Sequence, residues 1–374
     1  MEKKNYYSLR LNCIFCSKIL DNCYFEKDYN IPIACYSKDK ISNDIIIPYN
    51  IFICTNCKTI QTKYLGDLNE IYKVNHADST GSLMKNLHLT VLTFIKKYKS
   101  KINNIVEVGS SKGVLSDLIL DNNLVNKYYI IEPNYFGNKR ENKIILHDFF
   151  ENVNFNKYSN ANTLIISHVF EHFYEPNKIV EIIQSNSNIK NFFLIWPDLE
   201  YYKENSVYHV LNTEHTYYVD NQFIINLLNN FSFKLIEKYK YKGHSVIFIF
   251  ERNDNLKKIK LFNNNNNIDL YYKKLFESRN YIENFIQENL EKKICIWPAS
   301  VHTQFLLMFL NNLKIDYILD NSPNKINKFL YGYNIKCLDF KKYINDKDYA
   351  IILNGGVFNS EVKKNILNKN ILEL

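Results

Sequence analysis

No run in this 374-residue chain approaches the ~20 apolar residues that a membrane-spanning helix needs, so neither a transmembrane helix nor a membrane partner is expected. The opening MEKKNYYSLRLNC lacks the apolar core of a secretory leader, and a cytoplasmic location is the expectation. A dense basic block is missing too. The net charge is +8, yet the lysines are scattered through Asn- and Tyr-rich segments, which reads as a solvated basic surface and disfavours nucleic acid as a partner. No motif recurs at a fixed period, so repeat architectures are not indicated. What remains, with 46% hydrophobic and 23% charged residues, is a globular chain long enough for two or three domains.

The cysteines are unevenly spread. Six of the eight fall within the first 57 residues, and four form two C-x-x-C pairs, Cys13 with Cys16 and Cys54 with Cys57. Each pair sets two sulfurs on one turn, and two such turns can surround one tetrahedral ion, so a structural Zn2+ is expected on these four. Cys23, Cys35, Cys295 and Cys337 have no partner motif and read as buried thiols. This concentration marks residues 1–75 as an N-terminal zinc-binding module.

Downstream, apolar runs alternate with helical patterns. NNIVEVG, KYYIIEPN, TLIISHV, NFFLIWP and HSVIFIFER read as strands of a doubly wound, mostly parallel sheet over 76–255. The run Asn263–Asn267 reads as a polar linker. After it, an amphipathic helix over about 268–290 leads into a second alternation, KKICIWPAS, IDYILDNS and YAIILNGG, which makes 268–374 a smaller α/β domain.

Within IVEVGSSKG, a buried strand runs into a small-residue turn at a helix entrance. A dinucleotide-binding turn would place a second glycine where Ser111 stands, so NAD is disfavoured. The turn instead offers Glu107, Gly109, Ser110 and Gly113, and the next strand ends in a second acid, Glu132. A carboxylate at that place can accept hydrogen bonds from both ribose hydroxyls. Glu107 is suited to a positively charged amino-acid group.

This pair of acids about a glycine turn resembles the class I methyltransferases that bind S-adenosylmethionine. The resemblance implies that Glu132 holds the ribose, that the Gly109 turn lies against the methionine part, and that Asp148 and Phe149 of HDFFEN flank the adenine. It also places His168, in SHVFEHF, near the boundary between cofactor and acceptor. The inner Glu of a metal-binding H-E-x-x-H helix is absent there, and Glu171 and His172 read as residues that order the turn.

In LNTEHTYYVD, Glu214 beside His215 suits a general base near neutral pH, and equally an ordinary surface turn. Taken whole, the zinc module, cofactor domain and C-terminal α/β domain resemble the three-domain C-methyltransferases of nucleotide-linked deoxysugars. The C-terminal likeness is carried by IWPASVHTQFLL, by the D-x-x-P-x-K loop of YILDNSPNKINKFLYGYNI and by ILNGGVFNSEV. The implied architecture is a central class I, Rossmann-like methyltransferase domain between a zinc-binding module and a Rossmann-like C-terminal domain. The implied substrate is a nucleotide sugar destined for a surface glycan, with Glu214, His215 and His168 in the catalytic group. Family members have Tyr-His-Glu-His where this chain has Asn212, Thr213, Glu214 and His215, so C- and O-methylation both stay open. Two other readings compete: an RNA or protein methyltransferase with a zinc recruitment module, and a non-catalytic zinc scaffold. The oligomeric state is not set by the sequence.

Overall fold

The computed structural model describes residues 5–24, 29–74, 81–155, 160–205, 207–264, 268–310, 313–364 and 366–374. The boundary expected at 75–76 and residues 265–267 of the asparagine run lie outside them. Short antiparallel pairs build the N-terminal part, among them Tyr29–Pro32 with Ile46–Tyr49 and Ile51–Ile53 with Ile60–Thr62.

A seven-stranded sheet forms the centre: β1 Ile105–Val108, β2 Tyr128–Ile131, β3 Lys143–Leu146, β4 Thr163–Ser167, β5 Asn191–Pro197, β6 Phe233–Tyr241 and β7 Ser245–Arg252. Its order is β3-β2-β1-β4-β5-β7-β6, parallel except for β7, which runs against both neighbours. Helices cover both faces, so the inner strands are apolar on both sides, as parallel sheets require. Val106, Leu164, Ile166 and Phe192 pack into one core, and Ile105, Ile130, Ile165 and Phe193 into the other, with the period of two that a strand dictates. Helix α1 (Ser82–Lys97) and helix α2 (Val114–Asp121) belong to the second of these layers, and α3 (Pro176–Ser185) and α4 (Asn221–Asn230) to the first.

Helix α5 (Asp269–Gln287) then leads to a five-stranded parallel sheet of β8 Lys293–Trp297, β9 Tyr317–Asp320, β10 Cys337–Asp339, β11 Tyr349–Leu353 and β12 Ile371–Glu373, ordered β10-β9-β8-β11-β12, with α6 (Val301–Phe309) after β8. The mixed α/β class expected from the sequence is the one observed. Among the described residues no helix is long and apolar enough to cross a membrane.

Several contacts bind the three parts together. Tyr217–Tyr218 pairs antiparallel with Ile60–Thr62, and Phe329–Leu330 with Ser37–Lys38. Arg10 is buried and donates to the carbonyls of Thr62, Tyr174 and Thr216 at 2.7–3.1 Å, satisfying backbone acceptors from both sides of one seam. Two sequence expectations change here. Asn263, the first residue of the expected linker, is fully buried and donates to Lys58 and Tyr218 while accepting from the Asp220 N–H. Cys23 is exposed, whereas Cys35, Cys295 and Cys337 are buried as expected.

Candidate functional site

In a doubly wound sheet, ligands bind beyond the carboxyl ends of the strands where the strand order reverses. In the central sheet that point lies between β1 and β4, and in the C-terminal sheet between β8 and β11. Both reversal points open onto one cavity of about 450 Å³, lined by Gly109, Glu132 and His168 on one side and by Trp297, Pro298 and Gly355 on the other. Cys35, Tyr36 and Tyr72 of the N-terminal part close a third wall.

The turn after β1 is built for close approach. Gly109 has φ +76°, and a Cβ there would lie 2.1 Å from Val169 Cγ2, so neither conformation nor space admits another residue. Ser111, at the place of the missing glycine, takes φ +51°, a left-handed conformation that its N–H holds by donating to Glu132 Oε2 at 3.0 Å. Glu132 Oε1 accepts the Asn134 N–H at 3.0 Å. Each oxygen thus spends one lone pair on the backbone and keeps one for a ligand hydroxyl.

Glu107 sits elsewhere than its sequence position suggests. It is buried beneath the turn, accepts the Tyr128 hydroxyl at 2.9 Å and is not among the cavity-lining residues. Burial pushes its carboxyl up to about 7, against the pull of the hydrogen bond from Tyr128. Asp148 and Phe149 do line the cavity. Asp148 Oδ1 accepts from the Phe149 N–H and from Asn152, and the Phe149 ring meets Tyr72 edge-on at 5.9 Å.

Beyond β4 the chain makes a single 3-10 turn over Phe170–His172, and His168 enters it at φ +51°. His168 Nε2 shares a hydrogen bond with Ser245 Oγ at 2.9 Å, and its Nδ1 stands 3.4 Å from Glu171 Oε1. His172 Nδ1 bonds the Tyr72 hydroxyl at 3.1 Å and lies 3.8 Å from Glu214 Oε2. His215 Nδ1 bonds the Val210 carbonyl at 2.9 Å, leaving Nε2 3.9 Å from Glu171 Oε1. Burial pushes the His215 ring down to about 4, so it is neutral at pH 7.

His168, His172 and Glu214 line the cavity, while His215 stands behind them with its ring 5.2 Å from that of His172. Asn212 explains the turn that carries Glu214 and His215. Its buried Oδ1 accepts both of their N–H groups at 2.9 Å, the N-cap chemistry of a short polar side chain applied to a tight loop. Glu171, His172 and Tyr72 are the residues that sequence reasoning missed as site members. The H-x-x-E-H spacing of SHVFEHF was the available signal for Glu171. Tyr72 comes from another part of the fold and left none.

On the C-terminal side, Asp320 Oδ2 accepts the Ala299 N–H and pairs with Lys325, while Oδ1 accepts the Ser322 N–H. The D-x-x-P-x-K loop is thereby laced to the turn after β8. In the N-terminal part, Cys13 and Cys57 Sγ lie 3.4 Å apart, Cys16 and Cys54 3.5 Å, and all four sulfurs within 4.8 Å of one another. Four thiolates on a tetrahedral ion with bonds of about 2.3 Å sit about 3.8 Å apart, so these residues fit a zinc ion.

No family model and no curated protein matches the chain. Among solved structures, the methyltransferase domain of bacterial CtHen1 is similar over 45% of this chain and 99% of its own, at 12% identity and a TM-score of 0.37. The N-methyltransferase NodS from Bradyrhizobium japonicum is similar over 47% and 99%, at 8% identity and 0.34. The N-terminal domain of EvdMO1, solved with SAH bound, is similar over 44% and 81%, at 10% identity and 0.32.

Proposed function

We propose that the chain is an S-adenosylmethionine-dependent methyltransferase whose acceptor is a nucleotide-linked sugar. The observation that carries this reading is the shared cavity, which joins a glycine turn and ribose-competent carboxylate at one reversal point to a second α/β reversal point opposite. A cofactor of nucleoside type fits the first half. Glu132 would hold the ribose with its remaining lone pairs, the Gly109 turn would admit the amino-acid tail, and Phe149 with Asp148 would border the base. The C-terminal half, with Trp297, His302 and Lys325, would take the nucleotide of the acceptor.

S-adenosylmethionine supplies an electrophilic methyl group, so the protein's task is to position the acceptor and remove its proton. The proton would pass by way of a water or the cavity-lining His172 to His215 behind it. The His215 Nδ1–H is fixed on a carbonyl, its Nε2 carries the lone pair, and the carboxylate of Glu171 stabilises the imidazolium that forms. The same base serves a carbon beside a keto group or a hydroxyl. Zinc on Cys13, Cys16, Cys54 and Cys57 would be structural, holding the two turns of the N-terminal part.

Methyl transfer from labelled S-adenosylmethionine to a panel of nucleotide-linked 4-keto and 4-hydroxy sugars tests the reading. Transfer to a sugar is expected, with turnover lowered at least about 100-fold in His215→Ala and cofactor affinity kept. Transfer to RNA or protein and to no sugar would overturn it.

A further inference from the structure

The carboxylate of Glu171 poses a problem that the methyl-transfer reading leaves open. Its side chain is almost fully buried, and among the described residues neither oxygen accepts a hydrogen bond of normal geometry. A buried carboxylate without partners is costly, so the surroundings should supply a compensating positive charge or proton. Two groups approach it: His168 Nδ1 at 3.4 Å and His215 Nε2 at 3.9 Å, both beyond the usual 2.7–3.2 Å of an N–H···O bond.

The His215 tautomer sharpens the point. A backbone carbonyl only accepts, so the 2.9 Å bond to Val210 fixes the proton on Nδ1 and leaves Nε2 of the neutral ring as an acceptor. Two acceptors, Nε2 and Oε1, therefore face each other across 3.9 Å. That gap is too wide for a shared proton and suits two ligands of one cation. His172 completes the set, since one ligand atom each from Glu171, His172 and His215 lie within 4.8 Å of one another. Glu214 Oε2, 3.8 Å from His172 Nδ1, stands beside them.

We propose that Glu171, His172 and His215 form a second metal site, distinct from the four cysteines, that takes a divalent transition-metal ion. Two histidines with one carboxylate are the donors of open zinc sites, and bonds near 2.1 Å would draw the three ligand atoms together by about 1 Å. The Val210 carbonyl is the outer partner that a metal-bound histidine characteristically keeps on its other nitrogen. Because His172 and Glu214 line the cavity, the ion has a path to enter and an open face toward the acceptor. The site itself does not depend on the methyltransferase reading. If that reading holds, the ion occupies the lone pair of the proposed base, and metal loading and proton removal exclude each other.

Cobalt(II) titration of the 374-residue, zinc-loaded protein tests the site. The expected result is one equivalent bound with visible d–d bands and without the sulfur-to-cobalt charge transfer that cysteine ligation gives. Glu171→Gln and His172→Asn should each weaken this binding at least tenfold while retaining their zinc and their far-UV circular dichroism. Should Glu171→Gln fail to fold, His172→Asn carries the same expectation. Equal cobalt affinity in wild type and the folded variants, as when the gap holds a water or an acceptor hydroxyl, would overturn the proposal, and so would uptake only with sulfur charge transfer. Binding of S-adenosylhomocysteine to the same samples tests the methyltransferase reading separately.

Discussion

Single side chains in this fold have consequences that titration and substitution can read. Glu107 is held protonated more readily in the folded chain than in the unfolded one, because burial pushes its carboxyl up to about 7. A raised carboxylate pKa favours folding fully at pH below its unfolded value, and this contribution fades as pH rises through 7. Glu107→Gln keeps the acceptor for the Tyr128 hydroxyl and removes the buried charge, so its melting temperature should exceed wild type at pH 8.5 and converge with it at pH 4. Thermal melts at both values check this. Asn212→Ala leaves the part-buried N–H groups of Glu214 and His215 without their acceptor, a loss of about 1 kcal/mol for each. Chemical denaturation should show that loss. The role of Asn212 was not legible in the sequence, where it stood out only as a departure from the Tyr of the resembled family. What it does depends on a loop geometry that residue identity alone does not specify.

At the level of elements, the sequence revealed the strands in the middle of each sheet and hid those at the edges. The five inner strands of the central sheet and the three of the C-terminal sheet are the apolar runs read from the chain, whereas β3, β6, β10 and β12 form the four edges. An inner strand is covered on both faces and is largely apolar, while an edge strand such as FKLIEKYKY fully buries only its two ends, Phe233 and Tyr241, and carries charge. The turn after β1 was legible because its constraint is local. Gly109→Ala meets both a positive φ and Val169, and should abolish measurable cofactor binding or the fold itself. Ser111→Gly relieves a left-handed residue and retains the N–H that Glu132 accepts, so it should leave binding within about threefold. Calorimetric titration of the two variants checks the contrast, and equal loss in both would place the requirement outside backbone conformation.

For the whole molecule, the cavity is assembled from parts remote in sequence, which is why its membership was only half readable. Tyr72 meets His172, and Trp297 lines the same cavity as His168, through packing that no local pattern encodes. Several histidines are buried or half-buried across this assembly. Burial pushes His88 and His209 down to about 4 and His244 to about 3. These rings stay neutral in the folded chain but charge in the unfolded one below its usual histidine pKa, so stability should fall as pH drops from about 6.5 toward 4. A melting temperature flat over that range would contradict their burial. The reversal point of the central sheet is proposed to hold S-adenosylmethionine through Glu132. Isothermal titration of S-adenosylhomocysteine into wild type and Glu132→Ala tests it most directly. Micromolar binding to wild type and at least tenfold weaker binding to a folded Glu132→Ala are expected. Absence of binding to zinc-replete wild type would contradict it and leave the chain a zinc-containing scaffold.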